Sequence, residues 1–304
     1  MNNPAWDIHT VSEEWLVELC ENLLKKKITI GGCDGGDKVV KLSDNIAAKF
    51  GMGVTASEAR TQEFAWRKTD PNIVHIPKVY RYFRYQAPEW TDSCGYLFME
   101  YVPGQLLKDI DLNEHTDIIP RVAKIIAHLG SIQGGQVPGP IGGGYAHGYQ
   151  WGDDGSMTIF TCVADLENWL NERLKMRDKS IDLSSHPLVL CHMDLCRRNM
   201  VLKENNMISL LDWGCAGLYP RFFESATLSY TMPYDKSWED PLIEATIALL
   251  GRTEEEKDLI YLLNIAQAIA LRYTFRPRQK SETPDRENFM PPLPPLLSRS
   301  PSPS

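Results

Sequence analysis

The stretch that most constrains this chain lies between residues 188 and 214, where short apolar runs alternate with polar loops. The apolar run 188–190 leads into residues 192–199, which read HMDLCRRN, and the apolar runs 200–202 and 207–211 follow. Residues 204–206 (ENN) have the composition of a turn. The pattern predicts a hairpin of two short strands flanked by polar loops. A hairpin of that length returns Asp212 to the side of Asn199.

Three polar side chains of this segment have the types and the spacing that phosphoryl transfer uses. Asp194 is placed to accept the proton of an attacking hydroxyl group, and Asn199 and Asp212 are oxygen ligands for the magnesium ions that bridge ATP phosphates. The order agrees with the kinase signature H-R-D-L-x-x-x-N followed by D-F-G. In the simpler alternative, His192 pairs with Asp194 near a strand end and Asp212 caps a turn. The hairpin between the two motifs favours the catalytic interpretation.

Composition argues against several classes of protein. The 304 residues carry a formal net charge of -8, whereas binding to a phosphate backbone needs a basic face, so we do not expect a nucleic-acid partner. Residues 1–10 hold no apolar core and no apolar run approaches the ~18 residues of a membrane span, so we expect neither a signal peptide nor membrane insertion. Seven scattered cysteines without a C-x-x-C pair indicate reduced thiols and a cytoplasmic protein.

Hydrophobic periodicity divides the chain into a strand-rich part and a helical part. It predicts helices over residues 12–27, 55–68, 118–132, 164–174, 242–250 and 254–273. It predicts strands, besides the hairpin, over residues 28–30, 39–42, 46–50, 79–83 and 96–102. We therefore expect an α+β fold of two lobes: an N-lobe antiparallel sheet with one main helix, and a larger, mostly helical C-lobe.

We predict three regions along the chain. Residues 1–102 form the nucleotide-binding N-lobe with its N-terminal helix, and residues 103–280 form the C-lobe with the catalytic loop and the acceptor-binding helices. Residues 281–304 are rich in Pro and Ser, cannot bury a core and are expected to be disordered. Within the C-lobe, residues 134–155 are rich in glycine and aromatic residues, and a loop of that length is either functional or mobile.

A nucleotide site in the N-lobe needs a lysine for the phosphates and a carboxylate that orients this lysine. Lys49 lies near the end of the third predicted strand, and Glu58 lies in the first turn of the following helix. We predict that the two side chains pair. The alternative is a capping box, Thr55-x-x-Glu58, in which the Glu58 carboxylate bonds the N–H of Thr55.

Two further segments are candidates for contacts with ATP. The glycine cluster 31–36 can cover phosphates with its N–H groups, with Gly35 and Gly36 as the candidate residues. It lacks the G-x-G-x-x-G pattern, and a plain hairpin turn explains it equally well. Glu100 and Tyr101 lie where the chain passes from the sheet to the helices, so their main-chain groups are candidates for the adenine edge.

Together these residues resemble the aminoglycoside phosphotransferase/choline kinase-like family, in particular its fungal phosphotransferase members, over roughly residues 28–275. Residues 192–199 look like the family motif H-G-D-L-H-P-G-N, and residues 211–214 (LDWG) look like its I-D-W-E or L-D-W-G motif. The resemblance implies a protein kinase-like fold that uses ATP and Mg²⁺. It implies Asp194 as catalytic base, Asn199 and Asp212 as magnesium ligands, and Lys49 with Glu58 at the phosphates.

The chain departs from the family motif at residues 196–198, where Cys-Arg-Arg replaces His-Pro-Gly. Arg197 and Arg198 either contact the γ-phosphate or an anionic substrate, or they pair with surface carboxylates. The sequence leaves both interpretations open.

Two features indicate a small molecule as the acceptor. Met193 stands where protein kinases have the arginine that reads a phosphorylated activation segment, and methionine makes no charge-assisted bonds. Only five residues separate Gly214 from Pro220, which leaves no room for a long activation segment. We therefore predict transfer to a hydroxyl group of an aminoglycoside, an amino alcohol or a secondary metabolite, bound by the helices after Glu224 and by segment 134–155.

Other interpretations stay open at this level. Asp235, Glu239 and Asp240 are candidate acceptor contacts, but a solvated acidic loop explains each of them better. A non-catalytic kinase-like ATP-binding module is the main alternative to an enzyme, and a protein kinase is a weaker one. A metal-dependent hydrolase built on His192 and Asp194 lacks a second histidine at ligand spacing.

Overall fold

The computed structural model describes residues 6–32, 35–88, 91–230, 235–273 and 275, so the predicted tail 281–304 lies outside the described residues. The helices in these ranges are α1 (Glu13–Lys25), α2 (Ala56–Lys68), α3 (Ile118–Leu129), α4 (Val163–Leu174), α5 (Phe222–Thr227), α6 (Lys236–Leu250) and α7 (Glu254–Ala270). The strands are β1 (Gly31–Gly32), β2 (Lys38–Lys41), β3 (Ile46–Gly51), β4 (Val79–Tyr85), β5 (Cys94–Glu100), β6 (Gln105–Leu106), β7 (Leu188–Cys191), β8 (Met200–Leu202), β9 (Ile208–Leu210) and β10 (Gly217–Pro220).

The N-terminal part is built on a five-stranded antiparallel sheet in the order β1-β2-β3-β5-β4. Helix α1 packs on one face of the sheet, where Ala48 and Phe50 of β3 enter a shared apolar core. Because side chains alternate along a strand, Lys49 points to the opposite face. On that face Ala59 of α2 packs with Leu97 of β5. The sheet thus directs Lys49 toward the helix that carries Glu58.

The predicted strand over residues 28–30 is wrong. Ile28 and Ile30 are about half exposed, and the edge strand is Gly31–Gly32 instead. Lys27, at φ 57°, turns the chain directly after α1. The N–H of Ile30 still donates to the carbonyl of Val39 (2.8 Å), so the chain joins the sheet only at the end of the predicted strand.

Helix α6 begins at Lys236, before the predicted start at residue 242. Pro241 lies inside this helix, although proline lacks an N–H group and commonly opens a helix. The earlier turn is fixed by Trp238, which is fully buried and donates from Nε1 to the carbonyl of Leu195 (3.0 Å). The start of α6 is therefore tied to the loop that carries Asp194.

The C-terminal part is mainly helical: α3 packs on α6, whereas α4 and α5 pack on α7. Two small antiparallel sheets lie among these helices, one formed by β7 and β10 and the other by β6, β8 and β9. Strands β8 and β9 form the predicted hairpin, with Met200 paired to Leu210. Strand β10 and helix α5 were not predicted, because segments of four and six residues give no clear periodic signal. No helix of the described ranges is long and apolar enough to span a membrane.

Candidate active site

The loop after β7 is organised by His192, which is fully buried. Its Nε2 donates to the carbonyl of Leu211 (3.0 Å), and its Nδ1 accepts the N–H of Asp194 (3.3 Å). These partners require the neutral tautomer that carries its proton on Nε2. Burial agrees with this state, since it lowers the pKa of His192. His192 therefore ties the catalytic loop to the residue before Asp212.

Glu224, at the start of α5, is a second organiser, and sequence reasoning missed its role. Its carboxylate accepts the N–H of His192 and, at 3.0 Å, that of Met193. Met193 adopts a left-handed conformation (φ 66°), and beside such a residue successive N–H groups can point at one acceptor. Burial raises the pKa of Glu224 to about 7, although both N–H bonds oppose this shift. An acidic residue in a short helix has no sequence signature that distinguishes it from a surface charge.

Asp194 lies at the centre of the loop, and its side chain is 10% exposed. The Nδ2 of Asn199 donates to Asp194 Oδ2 (2.8 Å) and to the Asp194 carbonyl (3.0 Å). These two bonds fix the asparagine amide and leave its Oδ1 as the atom that can face a cation. The predicted catalytic base and one predicted magnesium ligand are therefore in direct contact.

The hairpin places Asp212 beside this pair. The N–H of Leu211 donates to the carbonyl of Asn199 (2.8 Å), which closes the hairpin next to the catalytic loop. Asp212 follows in a left-handed conformation (φ 60°), and its side chain is 44% exposed. The geometry brings the two predicted magnesium ligands to the same end of the hairpin.

Lys49 joins the N-lobe to this end of the hairpin. Its Nζ lies 2.6 Å from Glu58 Oε1 and 2.9 Å from Asp212 Oδ1, and the Lys49 and Glu58 side chains are almost completely buried. The helix cap of α2 uses only half of a capping box. The Thr55 hydroxyl accepts the N–H of Glu58 (3.1 Å), whereas the Glu58 carboxylate turns to Lys49. The predicted Lys49–Glu58 pair is present in the structure, in place of the alternative bond to Thr55.

The charges of this cluster are unequal, since one lysine faces two carboxylates. Burial opposes the charged form of Lys49, but Glu58 and Asp212 outweigh it and raise the lysine pKa. Burial also raises the pKa of Glu58 to about 7, against the attraction of Lys49. For Asp212 the lysine outweighs desolvation and lowers the pKa. Asp212 is thus the ionised and more exposed carboxylate, which suits a metal ligand.

The structure places the other predicted nucleotide contacts less directly. The N–H of Glu100 donates to the main-chain carbonyl of Lys78 (2.8 Å), and the N–H of Tyr101 donates to the main-chain carbonyl of Asn45 (2.9 Å). The Glu100 carboxylate accepts from His75 (3.1 Å) and from the Lys78 N–H (3.3 Å). The N–H groups of both predicted linker residues and the Glu100 carboxylate are therefore engaged within the fold.

Gly35 and Gly36 are exposed in the turn between β1 and β2, and Gly35 adopts φ 77°. The turn is anchored by Asp37, whose Oδ1 accepts the N–H of Gly53 (3.0 Å). A Cβ atom at Gly51 would lie 2.1 Å from Asp37 Oδ1, so only glycine allows this close approach. The turn is thereby tied to the end of β3, close in sequence to Lys49.

The two arginines of the loop have different partners. Arg197 donates to the carbonyls of Leu107 (2.9 Å) and Ile110 and pairs with Asp235 (3.1 Å). Arg198 instead approaches the Asp194 carboxylate (3.3 Å). Asp235, one of the predicted acidic acceptor contacts, is thus occupied by Arg197. Another, Glu239, is buried in the first turn of α6.

The oxygen atoms of Asp212 and Asn199 fit a magnesium ion better than they fit a metal that needs a complete protein cage. Mg²⁺ is commonly bound through one or two protein ligands together with substrate phosphates and water. In the described ranges no three His, Cys, Asp or Glu side chains form a group that could hold a metal. A pair of oxygen ligands such as Asp212 and Asn199 suits a cation that arrives with a nucleotide.

Comparisons with known proteins identify the family and the fold of the chain. The family model described as "Phosphotransferase enzyme family" matches residues 53–257. The structure is similar to the apo form of a thermostable mutant of the aminoglycoside phosphotransferase APH(4)-Ia, with 13% identity, a TM-score of 0.53, and coverage of 85% of this chain and 89% of that one. A second structure of APH(4)-Ia gives 14% identity, a TM-score of 0.50, and coverage of 84% and 90%.

The choline kinase LicA from Streptococcus pneumoniae gives 12% identity, a TM-score of 0.47, and coverage of 85% of this chain and 88% of that one. A search of curated protein sequences found no match. At these identities the structural similarity to APH(4)-Ia establishes the fold alone. The predicted α+β, bilobal, protein kinase-like fold is confirmed.

Proposed function

The chain belongs to the phosphotransferase enzyme family, and we propose that it transfers the γ-phosphate of ATP to a hydroxyl group of a small molecule. The observation that carries this proposal is the position of Lys49, which bonds both Glu58 (2.6 Å) and Asp212 (2.9 Å). Through this lysine the sheet of the N-lobe meets the hairpin that follows Asp194. A phosphate lysine, two magnesium ligands and a base then line one cleft.

In the proposed reaction each polar group of the cleft has one task. Lys49 binds the α- and β-phosphates and is oriented by Glu58. Asp212 and Asn199 Oδ1 would hold Mg²⁺, which would supply positive charge to neutralise the phosphates. Asp194 accepts the proton of the acceptor hydroxyl as the hydroxyl oxygen bonds to the γ-phosphorus and the bond to the β-phosphate oxygen breaks. The products are ADP and a phosphate monoester.

For the nucleotide base we propose the linker between the two predicted lobes. The N–H groups of Glu100 and Tyr101 are bonded within the fold, but Val102, the next residue, donates to no other group of the described chain. The Val102 N–H and a neighbouring carbonyl then form a donor and an acceptor that suit the adenine edge. We place the boundary between the lobes directly after this residue.

A small acceptor agrees with the chain that follows Asp212. Strand β10 begins at Gly217 and pairs with β7 along its whole length. Gly217 lies opposite Cys191, and Pro220 lies opposite Leu188. The segment between Asp212 and β10 therefore has no room for a long loop that reads a peptide substrate. The open side of Asp194 is left to segment 134–155 and to the region around α6.

A screen of hydroxyl compounds tests the proposal. Purified protein is incubated with ATP and Mg²⁺ and a panel of aminoglycosides, amino alcohols, sugars and hydroxylated secondary metabolites, and ADP release is measured. We expect at least one compound to stimulate ADP release and removal of Mg²⁺ by EDTA to abolish the stimulation. Binding of ATP without ADP release for every acceptor class would instead identify a non-catalytic ATP-binding module.

A further inference from the structure

Arg197 and Arg198 are chemically identical neighbours with separate surroundings. They belong to a 3₁₀ turn, Arg197–Asn199, in which successive side chains point about 120° apart. Arg197 points into the fold: its side chain is 15% exposed, and its partners are two carbonyls and Asp235. Arg198 points toward the cleft: its side chain is 40% exposed and it contacts Asp194. Of the two arginines, only Arg198 contacts Asp194, the candidate catalytic base.

The contact between Arg198 and Asp194 engages both carboxylate oxygens. Arg198 Nη2 lies 3.4 Å from Oδ1 and 3.3 Å from Oδ2, and Asn199 Nδ2 lies 2.8 Å from Oδ2. A bond from Asn199 alone fixes one oxygen and leaves the carboxylate free to swing about its Cβ–Cγ bond. The second contact, from a cation, fixes the plane of the carboxylate. Oδ2 is then the more heavily bonded oxygen, because it accepts from Asn199 and Arg198, whereas the Oδ1 contact to Arg198 is the longer one.

Arg198 is itself held from a distant part of the chain. The same Nη2 also contacts the hydroxyl of Tyr149 (3.3 Å), which belongs to the glycine-rich segment 134–155. This segment is fixed on both sides of Tyr149. Gly148 (φ 103°) lies so close to Cys215 that a Cβ atom would meet its Sγ at 2.7 Å. Gln150 is fully buried and accepts from the Tyr230 hydroxyl.

We propose that Arg198, held by Tyr149, is a positioning residue that fixes the carboxylate of Asp194 for proton acceptance from the acceptor hydroxyl. This inference rests on the proposed function. An exposed ion pair four residues apart contributes little by itself. The pair of Arg198 and Asp194 differs from such a pair in two ways. The Asp194 carboxylate is nearly buried, and the Tyr149 hydroxyl, from another segment, holds the Arg198 guanidinium. Arg198 acts through Asp194 and gives up no proton in the step.

Substitution of the arginine tests the inference with turnover as the readout. We expect Arg198→Met to lower kcat by about 10- to 100-fold, the effect of a misplaced reacting group, while KM for ATP stays within about twofold. Arg198→Lys restores part of the loss because it returns a cation, and so does millimolar guanidinium added to Arg198→Ala. Tyr149→Phe lowers kcat less, and the double variant is no slower than Arg198→Met because the two residues act together.

The control is Arg177→Met, which removes an exposed arginine from the turn after α4. It is expected to keep the wild-type kcat. Wild-type kcat in Arg198→Met overturns the inference. A lower thermal midpoint with unchanged kcat per folded molecule also overturns it, because it shows a structural role only.

Failure of the proposed function gives a different result. If the wild type releases no ADP with MgATP and any acceptor, thermal midpoints of Arg198→Met, Asp194→Asn and the double variant decide whether the pair exists. If the decrease of the thermal midpoint in the double variant is smaller than the sum of the two single decreases, the contact between the two side chains is supported. Additive losses overturn the inference.

Discussion

The catalytic loop and the lysine cluster reach their geometry by different routes. In the loop, Asp194 is held by partners within five residues, Asn199 and Arg198, and by the buried His192. In the cluster, Lys49 bonds Glu58, nine residues away, and Asp212, 163 residues away. The loop is thus a local structure that the hairpin completes. The cluster exists only when the two lobes are packed together.

This difference separates the expected roles of the two regions. A local hydrogen-bonded loop keeps a base in place whether or not a nucleotide is bound. A buried lysine between two carboxylates is electrostatically unbalanced, and phosphates and a cation both change that balance. Substitutions in the loop should therefore affect the chemical step, and substitutions in the cluster should affect the use of ATP.

The largest effect on turnover is expected from substitution of Asp194, the proposed proton acceptor in the loop. Asp194→Asn keeps the shape of the side chain and its bond from Asn199 but removes the proton acceptor. We expect kcat for ADP release to fall by about 10²–10⁴-fold, the usual contribution of a general base. The variant should stay folded, and its thermal midpoint should fall only by the contribution of the lost ion pair with Arg198. Turnover within a few-fold of the wild type would rule out Asp194 as the base.

The next largest effect is expected in the cluster. Lys49→Met removes the cation and leaves Glu58 buried without its partner. We expect kcat/KM for ATP to fall by about 10²–10³-fold, as for the loss of one preorganised donor to a developing charge. Saturating kinetics in ATP measure it, and Lys124→Met, at an exposed position of α3, is the matched control. Equal losses in both variants would show that Lys49 has no special part in nucleotide binding.

A smaller effect on stability is expected at Glu224, whose pKa is raised to about 7 from an ordinary value of 4.5. A carboxyl whose folded pKa is raised stabilises the fold fully below its unfolded pKa, and this contribution is lost as pH rises through about 7. The loss is on the order of 3 kcal/mol at 1.4 kcal/mol per pKa unit. Glu224→Gln does not titrate and should flatten this part of the pH dependence.

Urea unfolding of the wild type and Glu224→Gln at about pH 5 and about pH 8 measures that difference. We expect the free energy of unfolding to fall with pH more steeply in the wild type than in the variant. Identical slopes would show that Glu224 keeps its ordinary pKa inside the fold.

The smallest effect is expected at Arg197, which anchors the loop to residues 107–110 and to Asp235. Arg197→Met leaves two carbonyls without their donor, at a cost of about 1–3 kcal/mol. We expect lower urea stability with kcat per folded molecule unchanged. A selective loss of kcat would instead place Arg197 in the catalytic machinery beside Arg198.

The same comparison explains how far the sequence could predict this site. The loop signature, the hairpin and the Lys49–Glu58 pair are encoded within short segments, so residue spacing and strand alternation were enough to predict them. The contact between Lys49 and Asp212 depends on how the two lobes pack, which no local pattern records. The sequence supplied the types of the site residues, and the packing supplied their distances.

Two further features could not be predicted, for separate physical reasons. Glu224 accepts from the main-chain N–H groups of His192 and Met193. Because almost every residue type carries such a group, the sequence does not show which residues will bind the carboxylate. Arg197 and Arg198 look equivalent in the sequence because their different roles come from the direction in which a 3₁₀ turn presents each side chain. The strand predicted at residues 28–30 failed because Lys27, at φ 57°, turns the chain directly after α1, so that the chain joins the sheet only at Ile30.

The central claim is that the loop serves the chemical step and the lysine cluster serves ATP binding. Calorimetric titration of MgATP into Asp194→Asn and Asp212→Asn tests it most directly. The loop variant should bind MgATP with the wild-type affinity, because the base makes no contact that ATP binding requires. The cluster variant should bind more weakly and lose its dependence on Mg²⁺. Equal affinities in the two variants, both dependent on Mg²⁺, would contradict the proposed magnesium site and with it the assignment of ATP to this cleft.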